Sequence, residues 1–483
     1  MISLIEIAAR AYSGPRMTEK EWNLGMFAKM QQLVKDHRLA YSGPELYFEV
    51  DDGYVENAWK AAVQFLVEQG IYCITTNRVI KLAEDEVLEA ARGAPPEIVI
   101  GEGRDARTIR KREVEDRRQV NVISGGHSPW PQDLASMVQT SFAKVNRGDM
   151  IEGFNLAQVD GREVHGLPMA VYAAKREMAV MRDALRKAGR PGMAITFYPI
   201  LTSAGPMIAP MDPDAGLRRT DGILLSILPD LKVEADYIAV SIAYEEYGGY
   251  KVNGGCFSVV GGFCGGVEGA IIETIAKALA AWICYRDQMQ YTVHIAGPGG
   301  LLPRWEMAME KGGAEARRGA GIWPIYVANR ALAENTNIIR FGAFERSPGV
   351  GGIGSETSLL YIAGDAMAST VLGCNLPCIA GNSPAPYFVE FRARVSDATV
   401  RAGIGRKDVG GILKGIDKAI GERVRGPVAD YGDRRMLAYK DFQKFFEPIK
   451  ELYDFANQQP SPALMENGRR AIGVLEELGL EFR

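Results

Sequence analysis

Short apolar runs, each closed by glycine or proline and followed by a longer amphipathic segment, predict an α/β fold: a closed (β/α)8 TIM barrel with N-terminal and C-terminal helical extensions. Two further observations narrow the class. Counting the weaker ones, the runs number close to eight, which closes a barrel where fewer would leave a doubly wound sheet open. No GxGxxG follows a run with an acidic residue about twenty positions on, which lowers the nucleotide-binding alternative.

Residues 1–115 are expected to form the N-terminal, mainly helical segment. There AWKAAVQFLVEQG sets apolar residues at three- and four-residue spacing, and GIYCITTNRVIK reads as a strand or turn. Residues 116–425 form the predicted barrel body. Its strands are expected at VNVIS (120–124), GMAIT (192–196), YIAVSIA (237–243), YTVHIA (291–296), NIIRFGAF (337–344) and PCIAG (377–381), with MIEGFNL and GILLSIL as weaker candidates. Between them, AVYAAKREMAVMRDALRKAG, VEGAIIETIAKALAAWICYRD, ETSLLYIAGDAMASTVLG and PYFVEFRARVSDATVRAG are long enough to cross from one parallel strand to the next. Residues 426–483 read as a C-terminal helical extension, with RRMLAYKDFQKFFEPIKELYDFANQ and PALMENGRRAIGVLEELGL as its helices.

The chain has 483 residues, 47% hydrophobic and 24% charged, which is ordinary globular usage. Net charge is -4 without a long basic block, so the footprint of a nucleic-acid binder is missing. The RKREVEDRR run, 110–118, mixes signs and reads as a solvated face. No apolar run reaches the roughly 18 uncharged residues of a membrane span, and the start lacks a secretory pattern, so a cytoplasmic location is expected. Cys73, Cys256, Cys264, Cys284, Cys374 and Cys378 lack paired CxxC spacing and read as small buried residues. His37, His127, His165 and His294 lack HExxH spacing, and no bound metal is expected in this chain.

In a barrel the chemistry sits on the loops that follow the strands. SGGHSPW offers His127, whereas His294, inside an apolar run, reads as core. TFYPILTSAGP leaves Phe197 and Tyr198 at a strand's carboxyl end. The loop expected after 237–243 carries Tyr244, Glu245, Glu246, Tyr247, Phe257 and Phe263, where a carboxylate can act as a base or bind a cation. Gly262, Gly265 and Gly266 in GGFCGGVEG, and Gly351 and Gly352 in PGVGGIGSET, lead into helices whose free amides can hold an anion. A bulky cofactor pressed on the mouth would want the same bare loops, and so would tight barrel turns. Glu345 opens the ERSPGVGG loop. Arg104 and Asp105 read as a structural ion pair, with an anion clamp as the alternative.

The segments GIYCITTNRVIK, GEGRDARTIRKR, KAGRPGMAI and VVGGFCGGVEGAIIETI resemble, in order and spacing, the monomethylamine methyltransferase family of methanogens. TVHIA before a glycine loop and the ending LEELGLEF extend the similarity over nearly the whole chain. The resemblance implies a (β/α)8 barrel that gives a methyl group to the Co(I) of a corrinoid (cobalamin) on a separate corrinoid protein docked at the barrel mouth. It makes His127, Gly262, Gly265, Gly266, Gly351 and Gly352 the corrinoid-facing residues. A homo-oligomer is expected.

Three residues after the family's GRPGM, where the resemblance puts the electrophile pyrrolysine, this sequence has Thr196. The family's loop acid falls on Gly255, and its active-site glutamine and tyrosine fall near Glu345 and Ser347. A threonine hydroxyl forms no adduct with an amine, so the donor must already be activated. A quaternary ammonium carries its own positive charge and a halomethane its own leaving group. The expected catalytic residues are Thr196, Glu246 and Glu345. Phe197, Tyr198, Tyr244, Glu245, Tyr247, Phe257 and Phe263 are expected to hold the donor as an aromatic cage with charge balance. Two alternatives from other classes are a cobalamin-independent barrel hydrolase or lyase and a non-catalytic subunit that only docks a corrinoid protein.

Overall fold

The computed structural model describes residues 1–43, 47–125, 130–199, 201–254, 258–291, 295–296, 323–342, 352–376, 384–423 and 449–482. Seven parallel strands form the central sheet: β1 Ile123–Gly125, β2 Met150–Glu152, β3 Ala194–Phe197, β4 Gly222–Leu225, β5 Tyr250–Asn253, β6 Met289–Tyr291 and β7 Ile339–Phe341. Each pairs with its neighbour in the chain. Asn375 and Leu376 join the two edges, bridging in parallel to Phe341 and Val122. The Asn375 N–H donates to the Arg340 carbonyl at 2.9 Å, and the Ile123 N–H to the Leu376 carbonyl at 2.9 Å. The sheet therefore closes as a (β/α)8 barrel, this short segment taking the eighth position.

Side chains alternate across the wall, as the period of a strand requires. Met150, Ala194, Leu224, Tyr250, Val252, Met289, Tyr291, Ile339 and Phe341 pack together inside the barrel. Ile151, Ile195, Phe197, Ile223 and Leu225 turn outward into the core shared with the helices. The four crossover helices expected from the sequence are present at Gly166–Lys187, Val267–Tyr285, Glu356–Val371 and Pro386–Arg401.

A hairpin, Glu97–Ile100 with Arg107–Arg110, plugs the amino end of the barrel. Its Ile100 and Ile109 join the interior cluster, and the Glu102 N–H donates to the Gly192 carbonyl at 2.8 Å. A Cβ at Gly192 would lie 2.2 Å from the Glu102 carbonyl oxygen, so glycine is required at this crossing. Asp105 pairs there with Arg190 at 3.1 Å and accepts the Gly192 N–H at 3.1 Å. Asp105 is thus a structural partner of Arg190 and not, as expected, of Arg104, whose guanidinium donates to the Gly189 carbonyl.

One strand was expected in the wrong place. YIAVSIA lies inside the helix Ala235–Tyr247, where Tyr237, Ser241 and Tyr244 bury one face at four- and three-residue spacing. Gly248, at φ 95°, ends the helix with its N–H on the Tyr244 carbonyl at 2.9 Å. The strand is YKVN, whose Lys251 and Asn253 face the helix layer and give it a polar look.

The helix Asp52–Gln69 from the N-terminal region packs on Val267–Tyr285 and Trp323–Asn335. The helix Pro462–Glu477, capped by the Ser461 hydroxyl, packs on Glu356–Val371. Among the described residues, no helix is long and apolar enough to cross a membrane.

Candidate active site

Strand β3 sends Ala194 and Thr196 into the barrel, and Tyr198, just beyond it, packs on the same interior cluster. Thr196 lies in register with Glu152 on β2 and Gly222 on β4, and Gly222 with Tyr250 on β5. A Cβ at Gly222 would sit 2.2 Å from two ring carbons of Tyr250. The tyrosine ring therefore crosses a bare α-carbon, and its hydroxyl shares a 3.0 Å hydrogen bond with Thr196 Oγ1. Burial pushes the Tyr250 phenol up, the Thr196 hydrogen bond opposes the rise and the charge of Glu152 adds to it. The phenol stays protonated at neutral pH.

Glu152 has no exposed surface, and by the alternation of β2 its side chain shares the inner face with Met150. Neighbouring strands lie about 4.8 Å apart, so the carboxylate stands beside Thr196. The surrounding wall is apolar: Leu224, Val252, and an edge-to-face pair of Tyr291 and Phe341 with centroids 6.1 Å apart. An acid and two hydroxyls inside such a wall form an acceptor set suited to a small cation, because charge interactions strengthen where water is excluded.

The loop after β2 ties this cluster to the rim. The Gly153 N–H donates to the Thr196 carbonyl at 2.7 Å, the Asn155 side-chain amide donates to the Tyr198 carbonyl, and the Leu156 N–H donates to Glu177 Oε1 at 2.6 Å. On the far side of the mouth, Ser258–Val259 pairs in parallel with Ile295–Ala296. Gly261, which follows Val259 in the chain, and Gly352, which follows β7, have positive φ and nothing within 4 Å of where a Cβ would start.

The predicted residues divide sharply. Thr196 joins Tyr250 inside the barrel, in register with Glu152, and Tyr198 packs half-buried on the same interior cluster. Thr196 was expected to line an open cavity, but it has no exposed surface. Phe197 was expected in the site and instead turns outward, fully buried against the helix layer, because neighbours on a strand point to opposite faces. Tyr244, Glu245, Glu246 and Tyr247 also fall away from the rim: they end the helix that enters β5, and so lie at the barrel's amino side. Tyr244 donates to the Met207 carbonyl at 3.0 Å and Tyr247 to the Leu217 carbonyl at 2.7 Å. Glu245 stands 3.8 Å from Lys251, and Glu246 is exposed.

Gly262 accepts the Gly265 N–H at 2.9 Å, and Gly266 caps the helix Val267–Tyr285. A Cβ on Gly265 would meet Gln31 at 2.5 Å, so this glycine packs against the N-terminal helix Glu19–Asp36. Phe263 is exposed on the same loop, and Gly352 is half-buried. His127, Gly255, Phe257, Glu345, Ser347 and Gly351 lie outside the described residues.

Sequence reasoning missed Glu152, Gly222 and Tyr250 as site residues. The available signals were an acid closing the weak run MIE and an aromatic opening YKVN after a Gly-Gly stop.

A profile of the monomethylamine methyltransferase MtmB family matches residues 2–423. The monomethylamine methyltransferases MtmB2 of Methanosarcina acetivorans and MtmB of Methanosarcina mazei are each 28% identical over 477 residues, covering 98% of this chain and 97% of theirs. The crystal structure of the Methanosarcina barkeri monomethylamine methyltransferase superposes with a TM-score of 0.78 at 25% identity, covering 99% of this chain and 98% of that one. The hydroxylamine complex of MtmB gives the same TM-score and coverage.

Proposed function

The chain belongs to the monomethylamine methyltransferase family, and from that premise we propose that this methyltransferase moves a methyl group from a small methylated amine to the Co(I) of a corrinoid on a separate protein. A quaternary ammonium is among the candidate donors. Co(I), a strong nucleophile, supplies the attack when the corrinoid is bound. The chain's own task is to hold the donor, orient its methyl group and exclude water.

The observation that carries this reading is the buried set Glu152, Thr196 and Tyr250 on the inner wall. The carboxylate supplies the negative charge, and the shared hydrogen bond fixes the tyrosine that faces it. Of the aromatics on the inner wall, Tyr198 and Tyr250 are proposed to contact the donor, each worth up to about 2 kcal/mol to a desolvated cation. Thr196 stands where the resemblance puts the electrophile. The donor nitrogen must then already carry its charge, so that it departs neutral with the bonding electron pair. Thr196 serves by holding Tyr250.

The open backbone at Gly261 and Gly352 leaves space at the rim for a broad, flat group, and His127, Glu345 and Gly351 remain proposed rim residues. Because Co(I) is readily oxidised, the reading includes an anaerobic cytoplasm.

The test is to mix the protein with Co(I) cobalamin and a panel of mono- to tetramethylated ammonium ions and halomethanes, following the loss of Co(I) absorbance. Reaction with an ammonium donor is expected. Reaction with halomethanes alone would replace the donor assigned here, because a neutral donor gains nothing from Glu152. Turnover of any donor without a corrinoid would favour the hydrolase or lyase alternative, and binding of a corrinoid protein without transfer would favour the non-catalytic one.

A further inference from the structure

Helix Gly166–Lys187 turns Ala170, Ala173, Ala174, Met178 and Met181 into the core, and among them it buries one acid, Glu177, with no exposed surface. A methionine or leucine would fill that space without the cost of burying a carboxyl group. Glu177 Oε1 accepts the Leu156 N–H at 2.6 Å, whereas Oε2 is buried without a hydrogen-bond partner. Leu156 ends a four-residue stretch pinned at three points. Gly153 bonds to the Thr196 carbonyl and Asn155 to the Tyr198 carbonyl, so two of the pins fall on the end of β3 and the third on Glu177. Phe154 and Leu156 are fully buried between them.

We infer that Glu177 is a positioning residue for the donor site, acting through Leu156 and Asn155 to hold Tyr198 against the barrel interior. It touches no reacting atom. Its role is to fix the main chain of residues 153–156 from behind, so that the Asn155 amide meets the Tyr198 carbonyl in one place. Helix Gly166–Lys187 thereby sets the outer edge of the proposed donor site, whose inner wall carries Thr196 and Tyr250. This rests on the functional reading above wherever its readout is kinetic.

The experiment compares Glu177→Leu, Glu177→Gln, Asn155→Ala and the double variant Glu177→Leu/Asn155→Ala. The readouts are methyl transfer from the ammonium donor that the panel identifies to Co(I) cobalamin, and amide hydrogen exchange across residues 153–156. Each of Glu177→Leu and Asn155→Ala is expected to raise KM about tenfold with little change in kcat, the pattern of lost binding geometry rather than lost chemistry. The double variant should be no worse than the poorer single, because both cut one relay. Glu177→Gln keeps the acceptor for Leu156 and should recover most of the loss, in KM and in exchange protection. Multiplying effects, an unchanged KM in Asn155→Ala, or a Glu177→Gln as damaged as Glu177→Leu would overturn the inference. Should Glu177→Leu not fold, the Asn155→Ala and Glu177→Gln outcomes decide it. A wild-type protein inactive with every ammonium donor would count against the functional reading alone. Faster exchange at 153–156 in Glu177→Leu, reversed in Glu177→Gln, would then still test the relay.

Discussion

Burial raises the Glu177 carboxyl from its ordinary value of 4.5 to about 8, with the Leu156 N–H pulling the other way. The folded protein thus keeps a proton that the unfolded chain gives up. The resulting stability is fully present below pH 4.5 and is lost as pH rises through about 8, and its ceiling is on the order of 5 kcal/mol. Unfolding in denaturant at pH 6 and pH 9 should show Glu177→Gln gaining on wild type at the higher pH; parallel pH curves would contradict this. Gly222 makes a second case. Gly222→Ala forces a Cβ into the Tyr250 ring and should cost on the order of 1–3 kcal/mol, whereas Tyr250→Phe gives up one hydrogen bond, worth about 1 kcal/mol. Equal melting shifts for the two would mean that the ring does not need the bare α-carbon. At this scale the sequence was half legible. GRPGM located β3, but Phe197 and Tyr198 look alike on paper, and only the register decides which of them faces inward. Glu152 was hidden because a single acid at the end of a weak apolar run has no signature of its own.

Arg340 shows what one element can carry. It is the outward residue of β7, fully buried, and its guanidinium donates to the carbonyls of Asn329, Leu372, Arg112 and Gly373 at 2.9–3.2 Å. Three separate segments are stapled beside the place where the barrel closes. Arg340→Met leaves those carbonyls without this donor and should cost about 3–5 kcal/mol in denaturant unfolding; a loss below about 1 kcal/mol would show that the staple is not needed. The misplaced strand has an equally local cause. YIAVSIA is apolar enough for either class, and what made it a helix was its continuation through Glu245 and Glu246 to Gly248. YKVN was passed over because half of its residues are polar, yet Lys251 is buried beside Glu245 on the helix side of the wall. A buried lysine at a strand's outward position is invisible to a hydrophobic count.

Over the whole molecule, alternation of runs and helices was enough to give a (β/α)8 barrel, because each crossover helix has the length that parallel pairing demands. Closure was harder to see. The expected strand PCIAG (377–381) lies outside the described residues, and the bridges that close the barrel fall at Asn375 and Leu376, just before it. Of the proposed site the sequence offered Thr196 and Tyr198 at the end of β3 but not the residue set, because Gly222 and Tyr250 open β4 and β5 instead of following them. Its members Glu152, Thr196 and Tyr250 come from three strands that only the register aligns. That alignment makes a charge-bearing interior, and the central claim is that this charge selects a cationic methyl donor. The most direct measurement is kcat/KM for methyl transfer to Co(I) cobalamin by wild type and by Glu152→Gln, with an ammonium donor and a halomethane in parallel. The account predicts a loss on the order of 100-fold with the ammonium donor and little change with the halomethane. Equal rates with the ammonium donor before and after the substitution would contradict it.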